Sequence, residues 1–241
     1  MYYGPDLLRF DRQLLIIGRE AQLKLRDSRV AIVGMGGLGS NVAMQLAAMG
    51  VGHLMLVDFD EVELTNINRQ PLYDESDVKK PKAIAASQKL MKINSKIEVI
   101  PIVGRFEQNT YRIENVDVIV DGLDSISARL LLNAFAVKFK IPYVFASVEG
   151  YYGNVSTILP GKTACLRCFM RSGKGDEKAC AHGIYPPAVF MASTIESSET
   201  ISIIVNGTSP LAGKLLVFDA SSYVFDVTNL KRNPSCPVCG D

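Results

Sequence analysis

Val30-Ala31-Ile32-Val33-Gly34-Met35-Gly36-Gly37-Leu38-Gly39-Ser40 is an apolar run, then a glycine loop, then the start of an amphipathic pattern. A second apolar run, Leu54-Met55-Leu56-Val57, ends at Asp58. Strand, glycine loop, helix, strand, acid is the order of a nucleotide-binding βαβ unit. Gly34, Gly36, Gly37 and Gly39 let the backbone turn tightly and approach a ligand that a Cβ would block. Asp58 lies a little over ~20 residues past the first glycine, where a carboxylate accepts hydrogen bonds from ribose hydroxyls. By themselves the loop and the acid suit an NAD-dependent oxidoreductase as well as an ATP enzyme, because both ligands carry an adenosine ribose.

The chain has 241 residues and 48% hydrophobic content, enough for one large α/β core. Its formal net charge is +1, which gives no reason to expect a polyanion-binding surface, so nucleic acid is not a default partner. The N-terminus shows no signal-peptide pattern. Residues 30–57 are mostly apolar, but six glycines together with Asn41, Gln45 and His53 interrupt them. A buried βαβ unit is therefore expected there, and no membrane span. Four of the five cysteines form two CxxC pairs, which points to metal rather than disulfides and to a reducing, cytoplasmic setting.

Outward from the glycine loop, residues 6–26 read as helical, and strands are expected at 29–34 and 53–58 with a helix between them. Residues 83–91 read as a helix with Pro81 near its first turn, and 97–103 as a strand. A short buried strand, 116–120, ends at Asp121; the helix 125–139, capped by Asp124 or Ser125, follows, and then a strand at 143–146. Repeated strand–helix units of this kind predict a doubly wound, Rossmann-like, mostly parallel sheet. After Gly150 the pattern changes. Strands at 155–159, 215–218 and 223–227 are expected to continue the sheet antiparallel. Residues 171–187 read as a loop and 188–206 as a helix ending at Asn206-Gly207. The organisation expected is N-terminal helices over 1–28, a nucleotide-binding half over 29–150, and an antiparallel extension with a crossover loop over 151–241.

Several clusters could carry chemistry. Asp58-Phe59-Asp60 is followed by Asn66-Ile67-Asn68-Arg69-Gln70 and by Lys79-Lys80-Pro81-Lys82. Cations near a nucleotide loop suit a triphosphate, whose transfer needs charge neutralised at the phosphate oxygens; taken as an isolated cluster, the lysines read more simply as a solvated helix start. Asp121-Gly122-Leu123-Asp124 puts carboxylates at a strand end, where one can hold phosphate-bridging Mg²⁺ or cap the next helix. Cys165-Leu166-Arg167-Cys168 and Cys236-Pro237-Val238-Cys239 have zinc-knuckle spacing, and four thiolates make a closed, structural tetrahedral site. The two pairs are too far apart for an ordinary zinc ribbon and must meet through the fold. Cys180 stands beside Lys178 and His182, groups that lower a thiol pKa; nucleophile and bystander both fit it.

In combination these motifs resemble the ThiF/MoeB/HesA family of ubiquitin-activating-enzyme-like adenylyltransferases. The resemblance runs from Arg9-Phe10-Asp11-Arg12-Gln13 to the last CxxC, with Gly-x-Gly-Gly-x-Gly, Asp-x-Asp, Asn-x-x-Arg-Gln, Lys-Pro-Lys, Asp-x-x-Asp and the paired CxxC motifs in order. It implies a single adenylation domain over 1–241 that uses MgATP to adenylate the C-terminal Gly-Gly carboxylate of a small β-grasp, ubiquitin-like sulfur-carrier protein. Such carriers serve thiamine, molybdopterin or tRNA-thiolation sulfur transfer. Gly37 then approaches the nucleotide, Asp58 binds the ribose, Asn66, Arg69 and Lys82 contact phosphates, and Asp124 holds Mg²⁺. Arg12 resembles an arginine finger that reaches the partner subunit's site, which implies a homodimer. Cys165, Cys168, Cys236 and Cys239 match Zn²⁺ ligands, and Cys180 matches a loop cysteine that receives the carrier in some relatives. The sequence ends just past the second CxxC without a rhodanese-type domain, so sulfur is expected from a separate sulfurtransferase or from sulfide.

Three other readings compete. A tRNA-modifying ATP-dependent dehydratase of the same family would generally lack both CxxC pairs and tend to be more basic. An NAD-dependent oxidoreductase leaves Arg12, Arg69, Lys82 and the four cysteines without roles. A non-catalytic scaffold would usually have lost the phosphate-contacting cations.

Overall fold

The computed structural model describes residues 5–170 and 183–240, with side chains from residue 7 onward. Eight strands form one sheet in the order β3-β2-β1-β4-β5-β6-β7-β8. Strands β1 (Arg29–Val33), β2 (His53–Asp58), β3 (Glu98–Val103), β4 (Val118–Asp121) and β5 (Tyr143–Glu149) are parallel. Strands β6 (Tyr152–Ile158), β7 (Lys214–Asp219) and β8 (Val224–Asn229) continue the sheet antiparallel. The doubly wound parallel sheet and its antiparallel continuation are both present.

The chain winds from β1 through β2 to β3 in one direction, then returns to place β4 on the other side of β1. The gap between β1 and β4 is therefore the switch point, where α/β sheets open a crevice at their carboxyl edge. Strand β1 is buried on both faces, which explains its unbroken apolar run. Val30 and Ile32 join a core with α2 (Gly37–Met49), α3 (Lys82–Ile93) and α6 (Pro186–Asn206). Ala31 and Val33 face the opposite layer, where α4 (Ile126–Phe139) and α5 (Leu166–Phe169) pack.

The N-terminal helical region differs from an unbroken helix over 6–26. A 3₁₀ turn spans Pro5–Phe10, and α1 (Asp11–Asp27) is interrupted at Gly18, whose φ of 78° and ψ of 170° leave the helical region. Helix α6 starts at Pro186, earlier than expected, because a proline in the first turn loses no hydrogen bond and has its φ preset for a helix. This helix is long and apolar enough to cross a membrane, yet more than half of its apolar window is buried against the protein. Buried Glu199 fastens it to the sheet, accepting from Thr157 Oγ1 at 2.7 Å and from the Leu211 N–H at 3.0 Å.

The glycine loop packs backbone to backbone. A Cβ at Gly39 would stand 1.9 Å from the Gly34 carbonyl oxygen. Alanine normally favours a helix over glycine by ~1 kcal/mol; here the clash reverses the sign. Gly39→Ala is expected to destabilise the protein by more than ~2 kcal/mol, read from the urea midpoint. A raised midpoint would show that the loop can retreat.

Candidate functional site

The glycine loop leaves the carboxyl end of β1 with Gly34 N–H bonded to the Val57 carbonyl at 2.8 Å. Gly36 is the N-cap of α2 and supplies no side-chain cap. The first-turn N–H groups of α2 thus stay open to an anion at the positive end of the helix dipole. Gly37 lies against Val189 and the aliphatic part of Arg69; a Cβ there would stand 3.1 Å from Val189 Cγ1, which would have to give way.

Asp58 closes β2 beneath this loop. Its Oδ2 accepts the Met35 N–H at 2.5 Å and its Oδ1 accepts the Asp60 N–H at 2.7 Å. Burial raises its pKa, opposed by these two N–H groups and by Lys82. The carboxylate therefore braces the loop as well as facing the crevice. Lys82 begins α3 with its side chain only 8% exposed, and its Nζ lies 3.2 Å from Asp60 Oδ2. A nearly buried ammonium makes the solvated-lysine reading untenable for Lys82, while Lys80 is half exposed and pairs with Asp77.

Asn66 is buried, and its Oδ1 accepts the Glu63 N–H at 3.1 Å, locking the short turn that precedes Arg69. Arg69 Nη1 donates to the Thr65 carbonyl at 2.9 Å, and Asn41 Nδ2 joins the carbonyls of Gly37 and Arg69. This segment is thereby tied to the first turn of α2. Asp124 is exposed. It does not cap α4: Ser125 Oγ accepts the Ala128 N–H at 3.1 Å instead. That removes the capping explanation for Asp124 and leaves its carboxylate at the carboxyl edge of β4.

Arg12 stands apart. It is exposed on the first turn of α1, and the adjacent Gln13 donates to the Met49 carbonyl at 3.0 Å, at the far end of α2. Thirteen residues of helix separate that carbonyl from the glycine loop, a span of ~20 Å at 1.5 Å per residue. An arginine side chain does not bridge that distance within one chain. Cys180 and His182 lie outside the described residues.

The two CxxC pairs meet. All four Sγ atoms lie within 4.8 Å of one another, with Cys165–Cys236 at 3.7 Å and Cys168–Cys239 at 3.4 Å. These separations are far longer than a disulfide and close to the ~3.8 Å edge of a tetrahedron of sulfurs each ~2.3 Å from a zinc ion. Burial pushes the Cys165 thiol up. Burial also acts on Cys236, but the N–H groups of Cys239 and Val238 and the neighbouring thiols bring it down to about 7. The Asn233 N–H points at Cys168 Sγ at 3.5 Å, a donor suited to a thiolate. The donor set fits a closed metal site that ties the chain after β8 to the chain after β6.

Some contributors are not evident from motif spacing. Gln70 is buried, its Oε1 has no hydrogen-bond partner among the described residues, and its amide faces Gly36. Tyr73 donates to the Met35 carbonyl at 2.9 Å and holds the loop from below. Gln70 closes the Asn66-Ile67-Asn68-Arg69-Gln70 motif; Tyr73 has no such signal, since its role depends on a long-range approach.

The sulfur carrier protein ThiS adenylyltransferase of Escherichia coli K12 is 34% identical over 241 residues, covering 98% of this chain and 96% of that protein. The molybdopterin-synthase adenylyltransferase of Salmonella typhimurium is 32% identical, covering 98% and 97%. The crystal structure of E. coli MccB with AMPCPP and MccA superimposes with a TM-score of 0.87 at 27% identity, over 99% of this chain and 76% of that one. Residues 10–238 match the model of the ThiF family, and the chain belongs to that family.

Proposed function

We propose that this protein uses MgATP to adenylate the C-terminal Gly-Gly carboxylate of a small β-grasp sulfur-carrier protein. The observation that carries the reading is the convergence of the open α2 N-terminus, Asp58, Arg69 and the nearly buried Lys82 at the switch point of the sheet. Its relatives of nearly equal length, named sulfur-carrier and molybdopterin-synthase adenylyltransferases, support the same reaction.

The chemistry asks little of a general base, because a carboxylate is already a nucleophile. A carrier carboxylate oxygen bonds to the α-phosphorus of ATP, the bond from that phosphorus to the bridging oxygen breaks, and pyrophosphate leaves with the electron pair. Catalysis then rests on in-line positioning and on neutralising the departing charge. Asp58 orients the ribose, the α2 N-terminus and Gly37 receive the phosphates, and Asn66, Arg69 and Lys82 meet their oxygens. Asp124 would hold Mg²⁺, which would help neutralise the charge on the phosphates. Lys82 exchanges its contact with Asp60 for a phosphate. Arg12, stranded from its own glycine loop, serves the other site of a symmetric homodimer. The four cysteines hold Zn²⁺ as a structural staple. We place the protein in the cytoplasm, where these thiols stay reduced.

ATP–pyrophosphate exchange is expected only with a cognate Gly-Gly carrier. Lys82→Ala or Asp124→Ala is expected to abolish exchange with the fold intact; normal turnover in either would undo the assignment. Cys180→Ser is expected to retain exchange, since adenylation precedes any thiol step, and a complete loss would give Cys180 a role in adenylation itself. Arg12→Ala is expected to be inactive alone but to regain activity when mixed with an Asp124→Ala subunit; no recovery would argue against a role for Arg12 in the partner's site. Cys168→Ser is expected to lose bound zinc, measured by elemental analysis. Its melting temperature should fall by ~10 °C, from ~3 kcal/mol of lost staple at about 2–4 °C per kcal/mol. An unchanged melting temperature with zinc lost would remove the structural role.

A further inference from the structure

Beneath the turn that carries Asp124 lies a buried polar cluster that the reaction as proposed does not use. Asp121, the last residue of β4, is fully buried. Its Oδ1 accepts the Leu123 N–H at 2.9 Å, and its Oδ2 accepts the Tyr143 hydroxyl of β5. Arg129, on the second turn of α4 and 6% exposed, donates from Nε at 3.2 Å and from Nη2 to the Leu123 carbonyl. Its Nε also lies 3.7 Å from Asp121 Oδ2, and its guanidinium sits 5.3 Å from the centre of the Phe145 ring. Both polar groups of Leu123 are thus held by one buried ion pair: the N–H by Asp121, the carbonyl by Arg129. Asp124 is the next residue in the chain.

The surrounding charges favour this arrangement. Glu196 of α6 is the other buried acid facing the pair, and neither of its oxygens has a hydrogen-bond partner among the described residues. Burial, reinforced by the charge of Asp121, pushes its pKa well above the usual carboxylate range. The same burial and the charge of Asp121 disfavour a charged Glu196 beside the pair. A buried ion pair is often no more stabilising than an apolar replacement, so stability alone gives weak reason for placing one here. An exposed carboxylate that must meet a metal ion at a set distance does need a rigid support, because ligand-orienting contacts govern metal affinity.

We propose that Arg129 is a positioning residue for the metal–nucleotide site: by clamping the Leu123 peptide against Asp121 it sets the place of the Asp124 carboxylate and so the affinity for nucleotide-bound Mg²⁺. This inference rests on the adenylation reading above. The planar fork puts Nε and Nη2 on the Leu123 carbonyl while Nε lies beside the Asp121 carboxylate. A lysine keeps the charge but offers one donor point.

The test is calorimetric titration of the full-length protein with ATP across a series of Mg²⁺ concentrations. Arg129→Lys is expected to raise the Mg²⁺ concentration for half-maximal enhancement of ATP affinity by about tenfold, while Mg²⁺-free ATP affinity and the melting temperature stay near wild type. Added to Asp124→Asn, it should cause no further loss. Equal weakening with and without Mg²⁺, no weakening, or full additivity with Asp124→Asn would overturn the proposal. Should Arg129→Lys fail to fold, Tyr143→Phe carries the test, since it removes only the hydroxyl that steadies Asp121. A smaller shift confined to Mg²⁺ dependence supports the clamp, and an unchanged dependence overturns it. A wild-type protein whose ATP binding ignores Mg²⁺ would overturn the MgATP reading itself, and the clamp with it.

Discussion

At the carboxyl ends of β1 and β4 two backbones touch, and the rest of the site depends on that contact. A Cβ on Gly34 would stand 2.5 Å from the carbonyl carbon of Gly122, and one on Gly122 would stand 2.1 Å from the Gly34 oxygen. With no side chains between them, the glycine loop and the turn after β4 share one small space. Helix α2 therefore begins directly over the switch point, and the turn that leads to Asp124 runs beside it. Any side chain inserted here would part the first turn of α2 from the turn after β4.

Around this contact, buried charges are arranged in two tiers. Asp58 and Lys82 border the crevice, each held by a backbone or side-chain partner that a ligand can replace or extend. Asp121, Arg129, Tyr143 and Glu196 lie behind it, closed off from solvent. The first tier faces the crevice, and the second holds the Leu123 peptide next to Asp124. Such layering is what preorganised electrostatics demands, because a group that has to reorganise during the reaction loses much of its effect.

The cysteine cluster solves a different problem. Strand β8 is exposed along its whole length, and β7 is only partly covered, so the final strands bury little apolar surface of their own. Joining Cys236 and Cys239 to Cys165 and Cys168, 71 residues away, anchors the chain beyond β8 to the layer that holds α4. Asn133 of that helix accepts the Leu166 N–H at 2.9 Å, so the staple also abuts the helix that carries Arg129.

Much of this was legible in the sequence because the signals are local. The run from Val30 to Ser40 dictates a strand, a glycine turn and a helix through steric rules acting over a few residues. The change of pattern after Gly150 marks the switch to antiparallel pairing, and CxxC spacing announces thiolate ligands wherever the two pairs end up. The break at Gly18 and the start of α6 at Pro186 escaped local reading, since a glycine or proline is compatible with either state until its neighbours pack. Only the tertiary structure decided that Lys82 is nearly buried, that Ser125 and not Asp124 caps α4, and that Arg12 sits at the wrong end of α2 for its own glycine loop. The support of Leu123 by Arg129, Asp121 and Tyr143 was equally hidden. Those facts depend on approaches between residues distant in sequence, where burial and geometry turn an ordinary arginine, tyrosine or acid into part of a site, and no local spacing encodes them.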